Sequence, residues 1–144
     1  MKVVDLYDAD FAEWTRHNAE LLRSGRVTEA DLAHIAEEIE DMGKRERRSL
    51  DSRMERLIEH LLKWQYQPEQ RGSSWGRTIA AQREGVRLLL IKNPGFRPFL
   101  DEVVADAYEA AVEIVMATIS CPRETFPETC PYSLEQLLDR NFLP

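Results

Sequence analysis

The longest feature of the sequence is a nearly unbroken helical repeat of apolar residues between Thr28 and Pro68. Apolar side chains recur there every three or four positions, as one face of an α-helix requires: Leu32, Ile35, Ile39, Met42, Leu50, Leu57, Leu61 and Trp64. The repeat predicts one helix over about residues 29–67, capped by Thr28 and ended by Pro68. Such a helix is about 60 Å long, whereas a compact domain of this size is about 40 Å across. We therefore expect the helix to kink, at Gly43, or to project and find a partner.

Three further main helices and a short last helix are predicted around this long one. The apolar spacing indicates helices over about residues 8–23, 74–92 and 98–120, and Ser133 with Gln136 forms a capping box that starts the last helix. Short loops imply antiparallel neighbours. We predict an all-α fold, an antiparallel helical bundle of four main helices built around the long helix. It forms a single domain over residues 1–144, with an irregular tail over about 121–132. The first helix is expected to cover the first half of the long helix.

Charge is distributed unevenly along the chain. Residues 1–42 hold 4 basic and 11 acidic side chains, residues 43–97 hold 13 and 6, and residues 98–144 hold 2 and 9. Two interpretations stay open: the basic middle neutralises the acidic flanks, or it forms a patch for an anionic partner. We expect the first.

Targeting and redox features are sparse in this sequence. The first ten residues carry three aspartates and no apolar segment of a signal peptide, and no stretch approaches the ~20 apolar residues that span a bilayer. Cys121 and Cys130 are expected to stay reduced, and two thiolates are too few for a structural zinc site. We expect a cytoplasmic protein with no cofactor and no membrane partner.

Four stretches of the chain closely resemble domain-of-unknown-function family twenty-nine, a family of small bacterial proteins. They are LYDADFAEW, AEEIEDMGKRERRSLDSRMERLIEHLLKWQYQPEQRGSSW, TIAAQREGVRLLL and FPETCPYSLEQLLDRNFLP. The resemblance covers nearly the whole chain, and the block HLLKWQYQP is quite specific. It implies an all-helical fold and a bacterial, cytoplasmic origin. It implies no activity, and it transfers no catalytic residue.

Polar side chains interrupt the apolar faces of two predicted helices. Glu46, Arg53 and His60 lie on or beside the apolar line of the long helix, and Gln82 interrupts the next helix. Antiparallel pairing sets Gln82 opposite His60 and Tyr7 near Glu46. Unpaired buried polar groups cost about 1–3 kcal/mol each. These residues therefore form a satisfied network that fixes helix register, or they line a ligand pocket with His60 as acid or base and Arg53 as anion holder.

A second polar group lies on the long helix, within one arc of about 100°: His34, Glu37, Glu38 and Asp41. Such spacing can supply one side of a metal site. No second motif of this kind appears, and the arc points away from the apolar face. We expect a solvated face with ordinary helical ion pairs. The expected pairs are Glu40–Lys44 and Asp41–Arg45.

Aromatic and basic residues alternate between Lys63 and Arg87. Such side chains can stack on bases and hold phosphates, and the candidates for ligand or partner binding are Trp64, Trp75, Arg77, Arg83 and Arg87. Against this function, both tryptophans lie on apolar faces, the chain is acidic overall, and no nucleic-acid motif is legible. We expect no nucleic-acid partner.

Three classes of function stay open on these grounds. The best supported is a non-enzymatic interaction or regulatory module that self-associates as a dimer, because the overlong helix leaves apolar surface that a symmetric partner would cover. A further protein partner is expected but not identified. The second class is a small-molecule-binding enzyme that uses the polar core residues. The third is a nucleic-acid binder that uses the basic middle segment.

Overall fold

A computed structural model describes residues 2–144, and every regular element within them is helical. This confirms the predicted all-α fold. Six α-helices follow one another, and short 3-10 turns occupy several of the connections. The α-helices are α1 (Val3–Ala9), α2 (Phe11–Arg23), α3 (Leu32–Tyr66), α4 (Ser73–Lys92), α5 (Leu100–Ile119) and α6 (Leu134–Leu138).

The chain divides into two compact units. The first, here the amino-terminal unit, extends to Arg45, and the second, the carboxy-terminal unit, is Glu46–Pro144. Helix α3 contributes its first turns to the amino-terminal unit and its remaining turns to the carboxy-terminal one.

The predicted first helix is two helices, separated at Asp10. The backbone of Asp10 is extended, with φ −155°, and its side chain accepts a hydrogen bond from the Glu13 N–H at 3.1 Å. A short carboxylate competes well for free N–H groups at a helix start, so Asp10 ends α1 and caps α2. The prediction of one helix over about residues 8–23 therefore missed α1.

Helix α3 begins later than predicted and continues through Gly43. Thr28 lies in a 3-10 turn, Val27–Glu29. Asp31 takes the capping position instead: its side chain accepts the His34 N–H at 3.4 Å and its carbonyl accepts the Ile35 N–H at 2.9 Å. From there 35 residues form one helix, which is about 52 Å long. The helix is uninterrupted at Gly43, where a kink was one of the two alternatives expected.

The core of the carboxy-terminal unit is built by α3, α4, α5 and the segment after α5. Completely buried side chains include Met54, Leu57 and Leu61 of α3 and Val112 of α5. The tail over about residues 121–132 is largely irregular, as predicted, but it is not peripheral. Phe126 and Tyr132 are buried in the same core, and the Tyr132 hydroxyl donates to Gln65 Oε1 at 2.8 Å. The tail therefore belongs to the packed core of this unit.

Candidate functional site

The first turns of α3 carry a strip of apolar side chains that is left largely uncovered by the residues the structure describes. Leu32, Ile39 and Met42 are 50%, 62% and 60% exposed, and Ile35 between them is half-buried. The four positions fall within about 80° of the helix circumference. We call these four residues the α3 seam. An exposed apolar strip of this kind is typical of a surface that binds another protein.

Small residues border the α3 seam along one edge. Ala36 and Gly43 are both exposed. A Cβ atom added to Gly43 would meet no atom within 4 Å. The space beside this edge is open, and no side chain there would hold another helix at a distance.

Helices α1 and α2 contact α3 on its polar arc. The Tyr7 ring stacks on the His34 ring with centroids 3.8 Å apart, and the Tyr7 hydroxyl donates to Glu38 Oε1 at 2.5 Å. The Trp14 indole N–H donates to Asp31 Oδ2 at 2.9 Å. Tyrosine and tryptophan pair an apolar ring with a polar group that needs an acceptor, so they pack where α3 offers carboxylates. The first helix was expected to cover the first half of the long helix; these contacts do lie at the start of α3, but on its polar arc and not on its apolar strip.

Asp31 is the centre of a buried hydrogen-bond network in the amino-terminal unit. Besides Trp14, its Oδ2 contacts His34 Nδ1 at 2.6 Å. Its N–H donates to Asn18 Oδ1 at 2.8 Å, and the Asn18 amide donates to the Trp14 carbonyl. Burial alone would raise the pKa of Asp31, but the hydrogen bonds from Trp14 and His34 outweigh it and lower that pKa. The network holds α2 against the start of α3.

The four polar-arc candidates have different environments. His34 and Glu38 are only 28% and 22% exposed at their side chains, so the expectation of a solvated face was wrong for these two. Glu37 is exposed and Asp41 is half-buried. The hydrogen bond to Glu38 raises the pKa of Tyr7 to about 12. Within residues 2–144, no cluster of three or more histidine, cysteine, aspartate or glutamate side chains is arranged to hold a metal ion.

The ion pairs expected on this face form differently. Arg45 Nη2 lies 3.9 Å from Glu38, and Arg45 Nε donates to the backbone carbonyl of Asp41 at 3.4 Å. The Arg45 side chain remains 60% exposed. Among residues 2–144, the carboxylate paired with this guanidinium is that of Glu38, at the distant end of ion-pair range.

The polar residues predicted to form one network or to line one pocket make separate contacts in the carboxy-terminal unit. Arg53 Nη1 donates to Gln82 Oε1 at 3.2 Å. Glu46 accepts from the Asn93 amide at 3.0 Å, which lowers the pKa of Glu46. His60 Nδ1 lies 2.9 Å from the carbonyl of Arg56 in its own helix. Gln82 is therefore bonded to Arg53 and not to His60, and Tyr7 and Glu46 each have a partner in their own unit.

Gly85 is the residue of α4 that makes room for Arg53. A Cβ atom at this position would lie 2.8 Å from both Arg53 Cδ and Arg53 Cζ. Glycine is a poor helix former, so its place inside α4 is explained by the guanidinium that crosses it. A glycine in the middle of a predicted helix was a sequence signal for this close contact, and the prediction missed it.

His60 is expected to make the stability of the carboxy-terminal unit depend on pH. Burial lowers the pKa of His60 below its usual 6.5, so the native ring stays neutral where the unfolded ring already binds a proton. Stability should be complete above pH 6.5 and fall as the pH drops from there towards the lowered native pKa. Urea unfolding of the protein and of His60→Gln at pH 7.5, 6.5 and 5.5 measures this. An equal pH dependence in both proteins would contradict the prediction.

Two of the basic candidates are used inside the fold. Arg83 is buried, and its Nε donates to the Leu137 carbonyl at 2.8 Å. Arg87 donates to the Leu138 carbonyl at 3.3 Å. Both arginines therefore bind the last carbonyls of α6, which have no partner within that helix. Arg77 is exposed. A continuous basic surface of these three residues does not exist.

The remaining candidates lie at the end of the core. Trp64 is partly buried against the core, and the Arg71 guanidinium lies 5.5 Å from its ring centroid. Trp75 is half-buried on α4. Cys121 and Cys130 are free thiols, and burial raises the pKa of Cys130. These residues pack, and none of them extends the α3 seam.

The fold and this surface define a small all-helical protein with an uncovered apolar strip on its longest helix. Across residues 2–144, none of the helices has the length and apolar composition that crossing a membrane requires. The chain belongs to the family described as Domain of unknown function DUF29, whose model matches residues 6–143. This confirms the resemblance seen in the sequence. Neither a curated protein nor a solved structure matches the chain.

Proposed function

We propose that this protein is a non-enzymatic interaction module that self-associates through the α3 seam. The observation that carries the proposal is the exposure of Leu32, Ile39 and Met42 on one side of an unbroken helix. Burying a large apolar side chain that was exposed contributes about 1.5–3 kcal/mol. Several such side chains in one strip are a substantial contribution to binding.

A second copy of the chain is the occupant that the spacing favours. The seam residues follow one another at intervals of three, four and three positions, which is the spacing of a coiled-coil seam. Another helix with the same spacing of apolar residues fits such a seam. Helix α3 of a second copy has this spacing because its sequence is identical. A two-fold axis then lets both copies cover the same strip at once. The family resemblance implies that this association takes place in the bacterial cytoplasm, with a further protein partner that stays unidentified.

The oligomeric state of two matched variants tests this proposal. Ile39→Glu places a charge in the seam and should convert a dimer at micromolar concentration into a monomer, because an unpaired charge is costly to bury. Ile91→Glu is the control, since Ile91 is a helical isoleucine that is 69% exposed outside the seam. Sedimentation equilibrium measures both. A wild-type protein that is monomeric at all concentrations, or equal effects of the two substitutions, would overturn the proposal.

A further inference from the structure

We propose that the two copies of α3 pair antiparallel, around a two-fold axis that passes between Glu40 and Asp41. This inference rests on the proposed self-association and specifies its geometry. Three features of α3 between Ala36 and Arg45 carry it: the two central seam residues, the small residues along one edge, and the charges along the other. All of them belong to the amino-terminal unit.

The centre of the seam pairs with itself in this arrangement. Ile39 of one copy faces Met42 of the other, and the axis repeats the contact. These two residues are the most exposed of the seam, at 62% and 60%. The axis therefore covers the apolar surface where it is most open. Ile35 and Leu32 lie beyond this central contact, beside Glu46 and Ser49 of the partner.

The small-residue edge lets the two helices approach closely. The same axis sets Ala36 opposite Gly43 of the partner, and no bulky side chain separates the backbones there. Glycine is a poor helix former, and no atom of residues 2–144 lies close enough to require it at Gly43. A second helix packed against this edge supplies the reason for its presence.

The charged edge favours antiparallel over parallel pairing. Across the axis, Glu38 faces Arg45 of the partner, and both oppositely charged pairs form at once. Arg45 is available for this contact because its side chain is mostly exposed and lies 3.9 Å from its own Glu38. In a parallel pair, the charged edge of one helix faces the small-residue edge of the other. Glu38 would then lie beside Ala36 or Gly43 of the partner, and the ion pair between Glu38 and Arg45 could not form.

Charge also selects the register. If the axis is moved to Glu37, Ile35 faces Ile39 of the partner and Leu32 faces Met42, so that all four seam residues pair with one another. Glu38 then faces Glu38 of the partner, and like charges in close contact are unfavourable. The axis between Glu40 and Asp41 replaces this repulsion with two attractive pairs.

A charge exchange followed by mixing tests the pairing. Glu38→Arg and Arg45→Glu should each weaken the homodimer roughly tenfold, because each creates two like-charged contacts across the axis. An equal mixture of the two variants should recover a heterodimer close to wild-type affinity, since every contact is again between opposite charges. Mixing cannot restore the Tyr7 hydrogen bond that Glu38→Arg loses within its own chain. Recovery of dimer affinity in the mixture therefore reports only on the contacts between the two copies. Sedimentation of the single variants and of their mixture gives the result.

Disulfide trapping checks the register independently. In a Cys121→Ser, Cys130→Ser background, oxidation of mixed Ala36→Cys and Gly43→Cys proteins should give a covalent heterodimer. Ala36→Cys alone should give none, because its two copies lie about 13.5 Å apart along the helices, the length of about nine residues. Efficient linkage of Ala36→Cys to itself would overturn the register.

The outcomes separate this inference from the proposed function. If the wild-type protein is a monomer, self-association itself fails. If the wild-type protein is a dimer that Ile39→Glu dissociates, but mixing restores nothing and the two cysteine variants do not link, then the seam is the interface and the antiparallel geometry is wrong.

Discussion

Arg83→Met is expected to lower the free energy of unfolding of the carboxy-terminal unit by about 3 kcal/mol. The native guanidinium is 2% exposed and donates to the Leu137 carbonyl at 2.8 Å and to the Gln136 carbonyl at 3.5 Å. Methionine has a similar length and fills much of the same space, but it donates no hydrogen bond. The Leu137 carbonyl would then lose its hydrogen bond from Arg83, whereas the Gln136 carbonyl would keep the one from the Asp139 N–H.

The matched control for this prediction is Arg77→Met, because Arg77 is exposed on α4 and lies six residues before Arg83. Exposed substitutions of this kind usually change stability by less than about 0.5 kcal/mol. Urea unfolding followed by circular dichroism measures both variants. Equal losses would show that positive charge on α4, and not the buried contact with α6, stabilises the unit.

Asp31→Ala is expected to cost the amino-terminal unit about 2–3 kcal/mol. The substitution removes the helix cap of α3 together with the acceptor for the Trp14 indole and the partner of His34 Nδ1. The Trp14 N–H would then be buried without an acceptor. Hydrogen exchange of the α2 amides measures the loss, because it reports the opening of one unit separately.

Two further variants interpret that result. Asp31→Asn keeps a capping oxygen, since asparagine caps helices as well as aspartate, and should lose about half as much stability. Asp8→Ala removes an exposed carboxylate of α1 and should change exchange by less than about 0.5 kcal/mol. If Asp31→Asn loses as much as Asp31→Ala, the charge of the carboxylate matters more than the cap.

Acid should remove the contribution of Asp31. Its native pKa is lowered below the usual 3.8 by the hydrogen bonds described above, so the stabilisation is complete above 3.8 and is lost as the pH falls through the native pKa. The difference in α2 exchange between the wild-type protein and Asp31→Ala should therefore shrink below pH 3.8. A difference that persists unchanged in stronger acid would contradict this assignment.

Local signals in the sequence predicted most of the helical elements. The apolar repeat before Pro68 predicted the end of α3, and the capping box of Ser133 and Gln136 is confirmed at the start of α6. Such features depend on residues a few positions apart, so a single sequence contains them. The break at Asp10 was missed because an aspartate at such a position can either cap a new helix or lie on the exposed face of a continuous one.

The candidate site was only partly predictable, because its contacts join residues that are far apart in the sequence. The apolar face of α3 was identified, but the side that α1 and α2 contact was not. Arg83 follows Ile79 by four positions and precedes Val86 by three, so it lies on the buried face of α4. This position was a signal for burial, but the backbone carbonyls that bind Arg83 come from α6, more than fifty residues away.

The sequence by itself determined that this protein is helical, where its longest helix ends, and which family it belongs to. Tertiary structure alone decided that Tyr7 and Trp14 bind the polar arc of α3, that Gln82 bonds Arg53, and that the α3 seam stays open. Periodicity defines the faces of a helix, because it follows from the helical repeat itself. Which face is covered depends on polar groups in distant segments that must find hydrogen-bond partners when they are buried.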